Sequence, residues 1–452
     1  MRMNNADRPG QGDRVILHCD INSFFASVEL LEHPELVRVP VAVGGDADSR
    51  HGIILAKNEP AKRFGIQTAE TIWQARKKCP DLVLLPPHHE KYRRFSRLLN
   101  QIYQEYTDMV EPFSIDESWL DVTASQRLFG TGREIADTIR GRVRRELGIT
   151  LSAGVSYNKI FAKMGSEYRK PDATTVITRD NYQKLLWPKP VGQMFFVGFS
   201  TAQRLVSAGI RTIGDLANAD PSTLASLLGK QGPVLRTYAR GEDQSPVRLF
   251  SQRDRIKSVG NGFTYSRNLV GEDDIRTALT ALSDTVASRL RSYGLMAWGV
   301  KVDIKDPSLK TISRQKQLDA PVDLTSDIRQ AALDLIHHSW KKDAPIRLLT
   351  VTAINLVDEA TAASEGEQLS LFGMLGVDGR NENGKGESNT PGGSSANWPA
   401  TMLSAANDAA TERSSTADHD TVERTMDQIR AKFGNSAIRY GGIIGNDIGI
   451  DL

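Results

Sequence analysis

The stretch Pro112-Phe-Ser-Ile-Asp-Glu-Ser-Trp-Leu-Asp121 places two adjacent carboxylates, Asp116 and Glu117, between apolar residues. Neighbouring side chains in a strand point to opposite faces, so consecutive acids within one strand would not serve the same site. A turn removes this obstacle. We therefore predict a short hairpin with arms at 110–115 and 118–123, whose tip presents both carboxylates to a cation. The alternative is an ordinary acidic turn.

A third carboxylate, Asp20, follows the apolar run 15–19 and precedes a predicted helix. A carboxylate at the end of a buried strand is costly unless a cation is paired with it. Asp20, Asp116 and Glu117 together offer hard oxygen ligands of the kind that Mg²⁺ prefers. Three such acids can hold two Mg²⁺ ions about 3.5–4 Å apart, the arrangement that transfers nucleotidyl groups.

The composition describes a soluble globular protein. The chain has 452 residues, long enough for two to four domains, with 39% hydrophobic and 25% charged residues. No run is long enough to span a bilayer, and the first ten residues lack the apolar core of a signal peptide, so we expect a cytoplasmic protein. Residues 359–452 carry 14 Asp/Glu against 7 Lys/Arg, which leaves a basic body of 50 Lys/Arg against 41 Asp/Glu. A basic body suits a polyanionic partner.

The two acidic motifs, His18–Glu29 and Ser114–Ser118, resemble the active-site pair of the Y-family, lesion-bypass DNA polymerases, and within that family the DNA polymerase IV branch. The similarity continues to about residue 358. Many members carry a second acid where this chain has Asn22. That position is not among the metal-binding acids of the family, so we expect Mg²⁺ binding to survive. The resemblance adds the Ile21 carbonyl as a further metal ligand.

The resemblance implies an α+β fold, a right-hand polymerase with a ferredoxin-like palm, small fingers, a helical thumb and a separate α+β little finger. Amphipathic patterns at 90–107 and 133–147 predict two helices on one face of an antiparallel palm sheet. The expected boundaries are 13–30 and 86–180 for the palm, 31–85 for the fingers, 181–245 for the thumb, 256–358 for the little finger, 359–419 for a disordered tail and 420–452 for a C-terminal segment. Within that segment, apolar spacing at 420–434 predicts a docking helix.

The nucleotide pocket implied by the resemblance contains Phe24, Phe25, Lys62 and Lys170. Phe25 matches the steric gate, whose ring lies where a ribose 2′-hydroxyl would need space, and Lys170 reaches the triphosphate. In many relatives a Tyr and an Arg stand at the positions of Glu59 and Lys62. Lys62 must therefore act on phosphate as a point charge rather than a bidentate fork. The alternative for Glu59 and Lys62 is a solvated helix of mixed charge.

The implied DNA contacts are Lys159 and Lys163 near the template strand, and Gly198 in a helix-hairpin-helix-like motif of the thumb. Such a motif holds a phosphate with backbone N–H groups at a helix start. Its usual first glycine is replaced by Phe196. The alternatives are a solvated face of an amphipathic helix for the two lysines and a plain helical turn for Gly198. The basic little finger would lie along the duplex backbone.

The pentad Gln368-Leu369-Ser370-Leu371-Phe372 is a compact apolar group in a polar tail. It resembles the peptide by which bacterial polymerases bind the sliding clamp, with Gln368, Leu369, Leu371 and Phe372 as its anchors. The alternative is a chance apolar cluster.

The favoured hypothesis is a monomeric, template-directed DNA polymerase for low-fidelity translesion synthesis. Its partners would be primer–template DNA, deoxynucleoside triphosphates and the sliding clamp, with no membrane. Two alternatives remain open: a non-catalytic, clamp-bound scaffold of a mutagenesis complex, and the catalytic subunit of a multi-protein bypass polymerase. A nucleotide cyclase shares a palm of this kind but explains neither the pentad nor the thumb-like segment.

Overall fold

The computed structural model describes residues 12–45, 52–252, 255–341, 343–365 and 420–450. The chain divides into two compact units, residues 1–254 and 255–452, which are described in turn. Within the described ranges, no helix is both long enough and apolar enough to cross a membrane.

Short strands and helices alternate irregularly in the first unit. Its strands are β1 (Ile16–Ile21), β2 (Val41–Gly44), β3 (Ile54–Lys57), β4 (Val83–Leu85), β5 (Val110–Pro112), β6 (Glu117–Asp121), β7 (Leu151–Ser156) and β8 (Thr174–Val176). Its helices are α1 (Phe24–Glu29), α2 (Glu59–Arg63), α3 (Ile72–Lys78), α4 (His89–Gln104), α5 (Gln126–Phe129), α6 (Gly132–Leu147), α7 (Lys159–Tyr168), α8 (Tyr182–Leu186), α9 (Phe199–Ser207), α10 (Ile213–Asn218), α11 (Pro221–Leu228) and α12 (Gln231–Ala239).

The central sheet has the strand order β5-β6-β1-β7-β8. Neighbouring strands are antiparallel except for β7 and β8, which are parallel. The prediction of an antiparallel sheet is therefore wrong at this edge. The reason is α7, which connects β7 to β8 and returns the chain to the end of the sheet from which β7 started, as a crossover helix does.

Strand β1 is buried along its whole length because helices cover both faces of the sheet. Cys19 and Ile21 join the core that α4 and α6 form on one face. His18 and Asp20 alternate with them and face the opposite side, where the His18 ring contacts Ser166 of α7. The two-residue period thus directs Asp20 away from the main core and toward α7.

A second, three-stranded sheet of order β3-β2-β4 carries α2 and α3. Helix α2 begins after Asn58, whose side-chain oxygen accepts a hydrogen bond from the backbone N–H of Ala61 at 3.0 Å. This cap fixes the start of the helix that bears Glu59 and Lys62. Helices α8 to α12 form the helical part of the first unit, and they surround an apolar core distinct from that of the central sheet.

The second unit consists of one sheet covered by helices on one face. Its elements are β9 (Ser258–Leu269), α13 (Gly271–Ser292), β10 (Leu295–Lys305), β11 (Thr311–Val322), α14 (Thr325–Ser339), β12 (Ile346–Asp358), α15 (Glu359–Glu365) and α16 (420–433). The strands are antiparallel in the order β11-β10-β12-β9, and α13 and α14 supply the helical side of the core.

Helix α16 packs against the helical side of the same unit. The buried Glu423 carboxylate lies 2.6 Å from Arg291 of α13 and accepts hydrogen bonds from Thr325 of α14. Beyond the helix, Ile448 and Ile450 join the core of the unit. Residues 366–419, including the pentad 368–372, lie outside the described residues and connect two segments that the second unit holds.

The docking face of α16 differs from the one that apolar spacing predicts. Of the apolar residues on that predicted face, Met426 is buried, whereas Val422 and Phe433 are exposed. Polar contacts define the observed face, with Glu423 on Arg291 and Arg430 on Asp284 at 2.8 Å. The pattern within α16 could not reveal this face because its charged partners lie on α13.

Candidate active site

A cavity of about 320 Å³ lies where β1, the turn between β5 and β6, β3 of the three-stranded sheet and α2 approach one another. Eight of the predicted site residues line it: Asp20, Ile21, Phe24, Phe25, Lys62, Asp116, Glu117 and Lys170. Lys57, Thr68 and Glu167 also line it, and none of them was among the residues predicted for the site.

The predicted hairpin is present, but its arms are shorter and its tip is shifted. Strand β5 ends at Pro112, which is paired with Ser118, so Asp116 lies in the turn while Glu117 opens β6. Glu117 is in the strand because β6 also pairs with β1, where Glu117 stands opposite Asp20. The two adjacent acids thus line one cavity from different elements: Asp116 lies in the turn, and Glu117 lies in β6 opposite β1.

Oxygen atoms of Asp20, Glu117 and Glu167 all lie within 4.8 Å of one another. Glu167 is in the last turn of α7, on the face of the sheet toward which Asp20 points. The Asp116 carboxylate is directed to its own turn, where it accepts a hydrogen bond from Ser114 Oγ at 2.6 Å. A cluster of carboxylate oxygens suits a hard divalent cation.

The charge balance at this cluster also favours a cation. Burial raises the pKa of Asp20 and of Asp116 above the ordinary range. Lys170 Nζ lies 2.8 Å from Asp20 and 2.7 Å from Glu167. Burial acts to lower the pKa of Lys170, but these two carboxylates raise it overall. The lysine therefore supplies positive charge at the position where the acids converge, and the residues present fit a bound metal ion.

Glu117 remains ionised because cationic and polar groups surround it. Burial acts to raise the pKa of Glu117, but His18 and Lys163 hold it below its usual range. Lys163 Nζ lies 2.5 Å from the carboxylate, and His18 Nε2 lies 3.5 Å from it. Burial lowers the pKa of His18 to about 4, so its ring is neutral at pH 7. His18 and Lys163 thus orient Glu117 toward the cavity.

Asn22 contributes to the frame of the site. Its amide donates to Ser152 Oγ at 2.9 Å, and its oxygen accepts from the Asp172 backbone N–H at 2.8 Å. These bonds tie the end of β1 to β7 and to the segment that carries Lys170. Asn22 does not line the cavity. The presence of Asn22 where many relatives carry an acid therefore leaves the carboxylate cluster intact.

Phe25 forms an aromatic wall of the cavity. Its ring stacks on Tyr92 with centroids 3.9 Å apart and planes 9° apart. The Tyr92 hydroxyl donates to the buried Glu29 carboxylate at 2.5 Å, which fixes the orientation of the tyrosine. Phe24 is buried beside it, with ring centroids 5.5 Å apart. The Phe25 ring is therefore held by packing from behind.

The predicted DNA-binding lysines both make ion pairs within the first unit. Lys159 Nζ lies 2.7 Å from Glu111 and over the Trp119 ring, while Lys163 pairs with Glu117. In these positions both ammonium groups stabilise the sheet that carries the site. Their contact with DNA stays a prediction.

Gly198 immediately precedes α9, and a Cβ there would meet no atom within 4 Å. Its backbone is therefore open to a close approach from outside. Phe196, which replaces the usual glycine, has a positive φ of 70° and is half-exposed. Gly198 remains a predicted phosphate contact, and the pentad 368–372 lies outside the described residues.

Residues 19–167 match the model of the impB/mucB/samB family, and residues 256–371 match the C-terminal domain of that family. The fold is similar to that of a solved Y-family DNA polymerase chimera, with a TM-score of 0.68 and 23% identity, over 76% of this chain and 99% of the chimera. A DNA polymerase IV of Acetivibrio thermocellus is 47% identical over 359 residues, which cover 79% of this chain and 89% of that protein. The chain belongs to the Y family of DNA polymerases.

Other relatives of this Y-family polymerase support the same family assignment. DNA polymerase IV 1 of Bacillus subtilis is 39% identical over 80% of this chain and 86% of its own length. A DNA polymerase IV of Clostridium kluyveri is 34% identical over 95% of this chain and 98% of its own length, so that similarity extends beyond residue 358. The predicted family, the right-hand α+β fold and the enzyme class, a DNA-directed DNA polymerase, are confirmed. Enzymes of this family depend on metal ions.

Proposed function

We propose that this Y-family polymerase adds deoxynucleotides to a primer 3′ end by a two-Mg²⁺ mechanism, with low fidelity, during translesion synthesis. The observation that carries the proposal is the carboxylate cluster beside Asp116, in the cavity that Phe25 and Lys62 also line. Asp20, Asp116, Glu117 and the Ile21 carbonyl would hold the ions. When bound there, the ions would supply activation of the attacking hydroxyl and stabilisation of the charge on the triphosphate and its leaving group.

The cavity supplies the remaining contacts from its own residues. Lys170 and Lys62 bind the triphosphate, and Phe25 excludes a ribose 2′-hydroxyl. In the structure Lys170 is held by Asp20 and Glu167, so its ammonium lies within the cavity before any nucleotide arrives. An ammonium group has three donors and can turn from a carboxylate to a phosphate oxygen without losing a partner.

Binding of primer–template DNA would be independent of base sequence. Gly198 offers its backbone at the start of α9, and we retain Lys159 and Lys163 as candidate contacts near the template strand. The second unit offers a sheet whose other face is not covered by α13 and α14. Contacts of this kind to phosphates give an affinity that falls steeply with salt. We propose that the polymerase acts as a monomer.

The purified full chain should extend a primer on a template with Mg²⁺ and deoxynucleotides alone, without partner proteins. This outcome follows because the acids and cations proposed for catalysis all line one cavity of a single chain. Gel-resolved primer extension measures it. A scaffold would bind DNA without extending the primer, and a catalytic subunit would become active only when partner subunits are added. Either result would contradict the proposal.

We further propose that the pentad recruits the polymerase to the sliding clamp. Deleting residues 368–372 should reduce extension severalfold when clamp is loaded on the template and leave extension without clamp unchanged. A matched control deletes residues 380–384, a polar segment of the same tail. The readout is processive extension with and without loaded clamp. An equal loss under both conditions would contradict a recruiting role.

A further inference from the structure

The side of the cavity formed by β3 and α2 has two lysines where the resemblance predicts one. Lys62 lines it from α2, and Lys57 lines it from the last position of β3. The two are joined only by the short connection through the Asn58 cap, which fixes their separation. Both lysines therefore line the same cavity from neighbouring positions.

Lys62 is not fully available to a ligand in this arrangement. Its Nζ lies 2.5 Å from Glu59 Oε1, one turn earlier on α2. Both side chains are about two-fifths exposed, at 36% and 43%, so the pair is weak and a phosphate can compete for the lysine. Glu59 nevertheless places a negative charge beside the position proposed for the phosphates, where it opposes anion binding.

Lys57 has no such partner among the residues that the structure describes. Its Nζ donates one hydrogen bond, to Thr68 Oγ1 at 2.9 Å, and the ammonium has two further donors. No carboxylate lies within ion-pairing distance of it in the described ranges. Burial and the nearby Lys62 lower the pKa of Lys57, an effect that Glu70 and Glu59 partly oppose. An anion between the two lysines would remove that repulsion.

We propose that Lys57 is a second cation for the triphosphate of the incoming nucleotide, and that Glu59 limits nucleotide affinity by holding Lys62. A triphosphate is the class of ligand that fits, because it carries several negative charges and the two lysines line the same cavity as the acidic cluster. The inference rests on the proposed nucleotide site. It also explains how the chain dispenses with the Tyr and Arg of many relatives: two point charges replace a hydroxyl and a guanidinium fork.

The test is single-nucleotide primer extension by the full chain, with kcat and KM measured for the deoxynucleotide. Lys57→Gln, which keeps a donor for Thr68 but removes the charge, should raise KM about tenfold with little change in kcat, because hydrogen bonds to charged groups contribute about that factor. Lys57→Arg should restore most of the affinity. Inhibition by inorganic pyrophosphate should weaken in parallel in Lys57→Gln. The control is Lys77→Ala on α3, outside the cavity, which should leave KM unchanged.

The role of Glu59 is tested through its coupling to Lys62. Glu59→Gln should lower KM severalfold in the wild-type background and have a smaller effect once Lys62 is replaced by Gln, since the part of its effect that acts through Lys62 is then already lost. An unchanged KM in Lys57→Gln would overturn the proposal, because the Lys57 charge would then not contribute to nucleotide binding. An equal rise in KM in Thr68→Val, with no recovery of KM in Lys57→Arg, would also overturn it, because Lys57 would then act only by holding Thr68. Failure of the proposed two-metal mechanism can be told apart from failure of this inference, because it would appear as primer extension by a variant that lacks the Asp116 carboxylate.

Discussion

Asp116→Asn should abolish primer extension, lowering kcat by at least about 10³-fold, while the Kd for primer–template DNA stays within about twofold of wild type. Asparagine has the shape of aspartate and keeps an oxygen that can accept the hydrogen bond from Ser114, so the turn between β5 and β6 is preserved. What is removed is the negative charge that metal binding requires. Single-turnover extension and fluorescence anisotropy of labelled duplex DNA measure the two quantities.

The matched control is Asp108→Asn, the same chemical change at an exposed position outside the cavity and shortly before β5. It should extend primers at the wild-type rate. Extension by Asp116→Asn at a rate near wild type would contradict the two-metal assignment. In that case the carboxylates that already converge, Asp20, Glu117 and Glu167, would have to bind the metal without the turn residue.

The elements with strong periodicity could be predicted from the sequence. The strand at 151–156 and the helix at 133–147 match β7 and α6 to within one residue, because apolar residues recur in each at the period of that element. The parallel pairing of β8 could not be predicted. It depends on whether α7 returns the chain to the end of the sheet at which β7 starts, and that is decided by packing between residues far apart in sequence.

Packing between residues far apart in sequence also explains which site residues could not be predicted. Asp20 and Asp116 stand out because acids interrupt apolar runs, a signal that is local in sequence. Glu167 lies in a helix among polar residues, and only the position of α7 over β1 brings it to Asp20. Lys57 ends a strand, where an exposed lysine is ordinary. Its presence in the cavity follows from the pairing of β3 with β2, which no local pattern specifies.

Replacing Phe25 by Ala should raise the efficiency of ribonucleotide incorporation relative to deoxynucleotide incorporation on the order of 10²-fold. The ring lines the cavity and is held against Tyr92, so it cannot swing aside to admit a larger sugar. Removing it opens space on that wall, and a ribose 2′-hydroxyl then meets no clash. The measurement is kcat/KM for a deoxynucleotide and for the matching ribonucleotide opposite the same template base.

Two further variants separate steric exclusion from a general loosening of the site. Phe25→Leu keeps part of the volume and should show an intermediate preference, because the clash scales with the bulk that remains. Phe129→Ala removes an aromatic ring that packs on Tyr106 outside the cavity, and it should leave the sugar preference unchanged. An unchanged preference in Phe25→Ala would remove the gate assignment. A fall in deoxynucleotide incorporation with no gain for ribonucleotides would mean that Phe25 acts only by supporting Tyr92, whose hydroxyl is anchored on the buried Glu29.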